Sequence, residues 1–385
     1  MNTESVIYLD NNATTELAPE VLTAMMPYLS NQYANPSSAS RMGAAVKAAI
    51  GDARAAVATL LGCRTAELVF TSGATESNHA ALLGVMSLNP DKCHLITSTV
   101  EHPSVLLLCR HLERIGMEVT YLPVDTEGQL NPDHLRVAIR PDTALISLMW
   151  ANNETGVIFP IEEAAAIAKS AGVLFHTDAT QALGKIPLDM SASGVDLLSC
   201  SAHKIHGPKG IGALYVRKGL SMVPLIFGHQ ERGRRGGTEN VPAIIGFGAA
   251  AQLYQSLITE TSYLKALRES LETGILGLFP MARVHGAAAR RLANTSNISI
   301  FPGDSEALLH HLEEHGITAA TGAACAAGGT RPSHVLMAMG LEKSLVQSSL
   351  RFSVGRYNQQ EDVTQLLNIL PKIYQDIVSF SALAV

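Results

Sequence analysis

In the run VLFHTD, residues 173–178, apolar and β-branched side chains lead to an acid at the last position, a pattern typical of a buried strand. Beyond the next apolar run, a lysine ends the segment Ser201-Ala202-His203-Lys204. An acid at a strand end can keep a pyridinium nitrogen protonated, and a lysine can form a Schiff base with an aldehyde. Asp178 and Lys204 therefore predict a pyridoxal phosphate site, although loop solvation or an ion pair would also account for both charges.

Strand-like and helix-like segments alternate on both sides of this run. The sequence predicts seven strands, at Glu67–Phe70, His94–Ser98, Val119–Val124, Ala144–Ala151, Val173–Asp178, Asp196–Cys200 and Gly212–Val216. Apolar spacing predicts helices between most of them, at Ser77–Met86, Pro103–Ile115, Pro132–Ile139 and Ile161–Ala171. This alternation predicts an α/β fold with a mainly parallel, doubly wound sheet. Ligands bind such sheets beyond the carboxyl ends of the strands, where Asp178, the Thr71–Thr75 loop and the Asn152-Asn153-Glu154 turn fall.

The last third of the chain follows a different pattern. We predict a long helix over about Leu253–Leu278, then an α+β arrangement with elements near Asn297–Phe301, Ser305–His315, Ser333–Met339, Leu350–Val354 and Glu361–Phe380. This part should form a smaller second domain that packs on the first across a cleft. We expect residues 15–255 to form the large domain, and residues 1–14 with 256–385 to form the small one.

Composition narrows the class of protein. The chain has 385 residues, of which 47% are hydrophobic, enough for one large core or two moderate ones. Its formal net charge of −6 offers no basic surface for nucleic acid, and no apolar run reaches the roughly 20 residues of a membrane span. The N-terminus lacks the pattern of a signal peptide, and five cysteines without CxxC spacing argue against disulfides. We therefore predict a cytoplasmic globular enzyme that contacts neither nucleic acid nor membrane.

Three short motifs have more than one interpretation. The segment Thr71–Ser77 should join a strand to a helix, where backbone N–H groups and the helix dipole can hold a phosphate, although an ordinary N-cap has the same composition. Gly207–Gly212 resembles a dinucleotide loop, but a strand rather than a helix should follow it. His311-Leu312-Glu313-Glu314-His315 matches a zinc-peptidase pattern without an evident third ligand, so we predict no metal site.

Cys325 stands in a segment of small residues. From Ala319 to Thr330 the chain contains six Ala, three Gly, two Thr and this cysteine. Few side chains can anchor such a segment, so we predict a mobile loop, about residues 319–330, that carries the thiol between an active site and an acceptor. A packed strand with an inert buried thiol is the alternative. The other cysteines are predicted to be small core residues, at positions Cys63, Cys93, Cys109 and Cys200.

Nine motifs along the chain share the order and spacing of one known family. They are Tyr8–Thr15, Asn35–Ser38, Thr71–Ser77, Glu101-His102, Asn152–Gly156, Asp178–Gln181, His203-Lys204, Arg235–Asn240 and Arg351–Ser353. In this order they resemble the NifS/IscS-type cysteine desulfurases of the class-V aminotransferase family, over almost the whole chain. The resemblance implies a fold-type I pyridoxal phosphate-dependent transferase, with a mainly parallel seven-stranded sheet in the large domain and a smaller α+β domain.

The resemblance also implies roles for single residues. Lys204 would form the Schiff base, Asp178 would pair with the ring nitrogen, and Gln181 would bind the ring phenolate. His102 would stack on the ring and move protons, and Asn153 would contact the ring oxygen and the substrate. The phosphate would be held by Ala74, Thr75, Ser201 and His203, with Thr238 of a second subunit.

Such a shared site implies a homodimer. Arg351 with Asn35 would hold the substrate carboxylate, since a guanidinium pairs with a carboxylate bidentately.

The implied activity converts L-cysteine to L-alanine and keeps the sulfur as a persulfide on Cys325, because a thiolate there would attack the substrate sulfur. A sulfur-acceptor protein would then take it for iron–sulfur cluster assembly or nucleic-acid thio-modification. A selenocysteine or cystine lyase and a small-amino-acid aminotransferase are the enzymatic alternatives, although an aminotransferase would not need Cys325. The third alternative is a sulfur-carrier scaffold without activity. The argument against it is that four residues are intact, Lys204, Asp178, His102 and Arg351.

Overall fold

The protein is represented by a computed structural model that describes residues 6–88, 90–254, 257–301, 303–321 and 332–383. The strands are β1 (Ile7–Tyr8), β2 (Leu68–Thr71), β3 (His94–Ser98), β4 (Glu118–Leu122), β5 (Thr143–Met149), β6 (Leu174–Asp178), β7 (Leu197–Ser201), β8 (Gly212–Val216), β9 (Arg283–Val284), β10 (Thr295–Ser299), β11 (Ile317–Thr318) and β12 (Ser349–Ser353). The helices are α1 (Pro19–Ser30), α2 (Arg41–Leu60), α3 (Ala74–Met86), α4 (Pro103–Arg114), α5 (Pro132–Ala138), α6 (Ile161–Ser170), α7 (Val241–Leu253), α8 (Leu257–Leu278), α9 (Ser305–Glu314), α10 (His334–Ala338), α11 (Lys343–Gln347) and α12 (Gln360–Leu383).

A seven-stranded sheet forms the centre of the molecule, with the order β2-β8-β7-β6-β5-β3-β4. Strand β8 runs antiparallel to both of its neighbours, and the other neighbouring pairs are parallel. Strands β3, β5, β7 and β8 are buried at every residue, which explains why the sequence shows continuous runs there rather than alternation. The predicted α/β fold with a mainly parallel seven-stranded sheet is confirmed.

Helices cover both faces of this sheet. On β2, Leu68 and Phe70 pack in a hydrophobic cluster with α2 and α7. Val69, between them, packs in a separate cluster with α3 and α4. Successive side chains of a strand point to opposite faces, so the two clusters lie on opposite sides of the sheet. With both faces covered, the edge at the carboxyl ends of the strands remains the place for a ligand.

The C-terminal part builds a second, smaller sheet. Strand β10 pairs antiparallel with β12 and with β9, while β1 pairs parallel with β11. Ile7 and Leu9 pack with α8, α9 and α12 in a further hydrophobic cluster. Because the N-terminal strand belongs to this cluster, we propose the division predicted above, with residues 15–255 as the large domain and residues 1–14 with 256–385 as the small one.

Some predicted elements need correction. Strands β3 and β8 have the predicted bounds, but β5 ends at Met149 because Ala151 instead bridges to Ile158. Leu253 is the end of α7 rather than the start of the next helix, since α8 begins at Leu257. Helices α1, α2, α7 and α11 had no predicted counterpart. Among the described residues, the helices are too short or too polar to span a bilayer.

Candidate active site

A cavity of about 490 Å³ opens at the carboxyl ends of the parallel strands. The loops after β2, β3, β5, β6 and β7 meet there, as the topology of a doubly wound sheet requires. Many residues predicted for the site line this one cavity: Ala74, Thr75, His102, Asn153, Asp178, Gln181, Ser201, His203 and Lys204.

The turn between β2 and α3 forms one end of the cavity. Helix α3 begins at Ala74, and its first backbone N–H groups have no earlier turn to bond, so they can receive an anion together with the helix dipole. The turn lies directly on β8, where a Cβ on Gly212 would come within 2.7 Å of Gly73 Cα. Only glycine allows this close approach, which places the turn against the sheet.

An ion pair supports the same turn from outside. The Glu76 carboxylate accepts hydrogen bonds from the Ser72 backbone N–H at 2.8 Å and from Arg235 Nε at 2.9 Å. Burial alone would raise the pKa of Glu76, but these hydrogen bonds bring it below its ordinary value. Glu76 therefore stays ionised and connects the turn to the segment that carries Thr238.

Asp178 ends β6 with both carboxylate oxygens engaged. Asn78 Nδ2 donates to Oδ2 at 2.8 Å, and the Thr180 backbone N–H donates to Oδ1 at 2.9 Å. Asn78 is buried on α3 and also donates to Ser104 Oγ. These bonds fix the orientation of a carboxylate that is 6% exposed and faces the cavity.

His102 caps the N-terminus of α4. Its Nδ1 accepts the Ser104 backbone N–H at 3.1 Å, so the neutral ring carries its proton on Nε2. Burial lowers the pKa of His102; nearby Asp178 acts in the opposite direction, while Lys204 adds to the lowering. The ring is therefore neutral at pH 7 and can exchange a proton through Nε2.

Lys204 ends a short 3₁₀ helix, Ala202–Lys204, that follows β7. Its Nζ donates to the Asn12 carbonyl at 2.5 Å and to the Ala13 carbonyl at 2.7 Å. These carbonyls belong to the segment after β1, so the N-terminal part of the chain forms a wall of the cavity. Burial, with Lys204 and further lysines nearby, lowers the pKa of the neighbouring His203 to about 4, which keeps that ring neutral.

Arg351 lies on β12 beside the cavity and is 1% exposed. Its Nη2 donates to Asp10 Oδ1 at 2.5 Å, and its Nη1 donates to the Asn153 carbonyl at 3.1 Å. Its Nε is buried without a partner among the described residues. Asn35, by contrast, is exposed and accepts the Ser37 N–H, so the structure does not bring it into the cavity.

Two predicted residues lie elsewhere. Thr238 is exposed and lines a different depression, so it does not contact this cavity from its own subunit. Cys325 lies outside the described residues, but both flanks of its segment are described. The Ala320 carbonyl accepts the Arg351 N–H at 2.6 Å, and Ser333 Oγ donates to Glu154 Oε2 at 2.5 Å.

The remaining cysteines fall into two groups. Cys109 and Cys200 are buried, as predicted, whereas Cys63 and Cys93 are only partly buried, which corrects the prediction of four core residues. Burial raises the pKa of Cys63 and of Cys109 to about 12, and that of Cys200 also rises. These thiols stay protonated at pH 7 and are poor nucleophiles.

Two buried acids, Glu101 and Glu154, were not predicted to be site residues, although both stand in the motifs quoted above. Glu101 accepts hydrogen bonds from Ser98 Oγ at 2.6 Å and from the Met149 N–H at 3.0 Å. Complete burial raises its pKa to about 8, and burial raises that of Glu154 to about 7. For Glu101, the available signal was its place directly after Val100, at the end of a strand-like run; Glu154 stands between polar residues and had no such signal.

Glu101 predicts a pH-dependent stability. The folded chain keeps its proton up to about pH 8, whereas the unfolded chain releases it near pH 4.5, so stability falls by a few kcal/mol as pH rises between these values. We expect Glu101→Gln to reduce this fall, because its amide cannot ionise. Urea midpoints at about pH 5.5 and 8.5 measure the difference. Glu154 should cause its own loss of stability with rising pH in both the wild type and the variant. If the stability of Glu101→Gln falls as steeply with pH as that of the wild type, Glu101 is already ionised in the folded protein and the prediction is wrong.

The comparisons with known proteins agree with this geometry. The model of the family described as aminotransferase class-V matches residues 7–366. "Cysteine desulfurase 2" of Trichormus variabilis is 48% identical over 378 residues, which cover 98% of this chain and 95% of that protein. The chain belongs to the class-V aminotransferase family.

Two solved structures extend the similarity to three dimensions. A "NifS-like protein" superposes with a TM-score of 0.91 at 37% identity, covering 97% of this chain and 100% of that one. A structure titled "SspA in complex with cysteine" superposes with a TM-score of 0.81 at 37% identity, covering 92% of this chain and 100% of that one.

Proposed function

We propose that this protein is a pyridoxal phosphate-dependent cysteine desulfurase, which converts L-cysteine to L-alanine and holds the sulfur as a persulfide on Cys325. The observation that carries the proposal is the meeting of Asp178, His102 and Lys204 in one cavity. Its relatives are named for the same activity over nearly their whole length.

The residues of the cavity fit the cofactor. The Lys204 amine suits its aldehyde, the Asp178 carboxylate suits its ring nitrogen, and the neutral His102 imidazole suits its ring face. The N-terminus of α3 suits its phosphate. When bound, pyridoxal phosphate would supply an electron sink for breaking bonds at the substrate α-carbon. The groups that would hold it are Ala74, Thr75, His102, Asn153, Asp178, Gln181, Ser201, His203 and Lys204.

The proton steps fall to two side chains. Lys204 Nζ would bind the cofactor aldehyde and, once the substrate amine has replaced it, would carry the proton from the α-carbon. His102 would donate or accept protons through Nε2, since Nδ1 is held by the Ser104 N–H. Asp178 would keep the ring nitrogen protonated, because its negative charge favours a cation beside it. Hydrogen bonds to both of its oxygens already hold the carboxylate in place.

The sulfur step needs a thiolate. Cys325 as thiolate would attack the substrate sulfur, so that a sulfur–sulfur bond forms and the carbon–sulfur bond breaks. The electron pair of the broken bond stays with the carbon fragment, which takes a proton and leaves as alanine. Ala320 and Ser333, on the two flanks of the segment, are fixed to Arg351 and Glu154, which supports delivery of the thiol to this cavity.

Substrate recognition would use Arg351, whose guanidinium is held by Asp10 and the Asn153 carbonyl beside the cavity. Its Nε, which has no partner in the part of the chain that the structure describes, supports a role in binding the substrate carboxylate. Asn153 lines the cavity and would contact the same substrate. Asn35 remains part of the proposal only if the exposed segment that carries it moves inward or reaches a second subunit.

The assembly and location belong to the same proposal. Exposed Thr238 would complete the phosphate site of a second subunit, which makes the protein a homodimer. The four cysteines of the described residues are unpaired thiols, which suits a reducing cytoplasm. A sulfur-acceptor protein would remove the persulfide sulfur for iron–sulfur cluster assembly or nucleic-acid thio-modification.

The test is the reaction itself. In a single turnover without reductant or acceptor, purified protein with pyridoxal phosphate and L-cysteine should form alanine and a persulfide on Cys325 in equal amounts. A protein that binds the cofactor but releases pyruvate, or sulfur without modifying Cys325, would fit a lyase instead.

A further inference from the structure

Asn12 lies in the wall of the cavity and connects several groups there. It is 1% exposed, and its carbonyl accepts hydrogen bonds from Lys204 Nζ at 2.5 Å and Gln181 Nε2 at 2.9 Å. Its side-chain Nδ2 donates to Thr295 Oγ1 at 2.8 Å, and its Oδ1 accepts from Asn294 Nδ2 at 3.1 Å. Asn12 is thus held rigidly from both parts of the chain.

A second lysine joins this network. Lys185 Nζ donates to Gln181 Oε1 at 2.6 Å and to Asn12 Oδ1 at 3.0 Å. Part of the residue is accessible to solvent, but its amine ends in the interior. Burial lowers the pKa of Lys185 well below its ordinary value, and the nearby charges of Lys204 and Arg351 lower it further. The amine donates to two acceptors, which hold it in place.

The contact with Lys185 distinguishes the two ends of the Gln181 amide. Its oxygen is occupied by Lys185, so its NH₂ group must lie toward the Asn12 carbonyl and the cavity that Gln181 lines. Without Lys185, only the Asn12 carbonyl would hold the amide, on its NH₂ side, and the amide oxygen would lose this donor, so the amide would be less firmly oriented. Lys185 itself is not among the residues that line the cavity, so it would act through Gln181.

We propose that Lys185 is a positioning residue that fixes the amide of Gln181 with its N–H donors toward the cofactor. The proposal rests on the function proposed above, in which Gln181 would bind the ring oxygen. An N–H donor stabilises the negative charge of that oxygen, and its loss makes the bound cofactor hold its proton more strongly. Loss of Lys185 should therefore move the pH titration of the cofactor to higher pH.

The experiment is a double-mutant cycle on the protein loaded with pyridoxal phosphate and without substrate. The visible absorbance band is titrated with pH in the wild type, Lys185→Met, Gln181→Ala and the double variant. We expect each single substitution to raise the midpoint by about one pH unit. The double variant should match Gln181→Ala alone, because Lys185 acts only through that amide. The exposed Lys169→Met, on α6, should titrate like the wild type.

Other results would overturn the proposal. An unchanged midpoint in Lys185→Met would exclude the orienting role, and additive shifts would mean that Lys185 acts on the cofactor directly. If Lys185→Met does not fold, Lys185→Gln keeps a neutral donor and should titrate near the wild type; failure of both variants to fold would indicate a purely structural lysine. Failure of the proposed function is distinct, because the wild type itself would then bind no cofactor or form no alanine.

Discussion

Replacing Lys204 by alanine is expected to lower the rate of alanine formation from L-cysteine at least about a thousand-fold, because one side chain both binds the cofactor and moves the substrate proton. The Lys204 amine lies at the cavity wall, held by the carbonyls of Asn12 and Ala13. His102 cannot take over both tasks, since an imidazole forms no Schiff base with an aldehyde. Initial rates, measured as alanine released, give the size of the loss.

The covalent link can be checked in the same preparation. Borohydride reduction of the wild type should attach the cofactor to the peptide that contains Lys204, and the variant should show no attachment. The matched control, Lys169→Ala on the exposed side of α6, should keep the wild-type rate. Attachment to Lys185 in the wild type, or a variant that retains a tenth of the rate, would contradict the assignment.

Replacing Cys325 by alanine should reduce protein-bound persulfide to background while the visible band of the bound cofactor stays as in the wild type. The residues proposed to surround the cofactor, among them Asp178, His102 and Lys204, are unchanged in this variant. Cys63, Cys109 and Cys200 cannot substitute as nucleophiles, because burial raises the pKa of all three, that of Cys63 and of Cys109 to about 12. Persulfide is measured by alkylation and mass spectrometry.

Cys93→Ala is the matched control for this experiment. Cys93 is partly buried directly before β3, where its Sγ lies 3.5 Å from Asp142 Oδ2. This variant should form persulfide at the wild-type rate. Sulfur release that persists at the wild-type rate in Cys325→Ala would favour a lyase.

The sequence predicted the central sheet because several of its strands are short runs rich in apolar and β-branched residues. Val173–Asp178 and Gly212–Val216 stand out for this reason, and the structure has strands at 174–178 and 212–216. Helix α2 did not stand out, because its alanines give only a weak contrast between its faces. Helix α7 is apolar nearly all round, so no amphipathic pattern marks it either.

The site was only partly predictable. Asp178, His102 and Lys204 follow strands, so the topology alone brings them to one edge of the sheet. The contacts of Lys185 with Asn12 and Gln181 depend on distances across the fold that spacing along the chain does not contain. The raised pKa of Glu101 likewise results from burial by distant segments. Asn35 stands in one of the quoted motifs, yet it is exposed, because a motif alone does not specify where its residues lie in the fold.

The most direct test of the proposed activity is a single turnover with L-cysteine, without reductant or acceptor. The cofactor-loaded wild type is mixed with substrate and quenched, and both alanine and the modified Cys325 peptide are quantified. The proposed mechanism predicts equal amounts of the two, with one additional sulfur on Cys325. Alanine formed while Cys325 stays unmodified, or no alanine from a protein that has bound the cofactor, would contradict it.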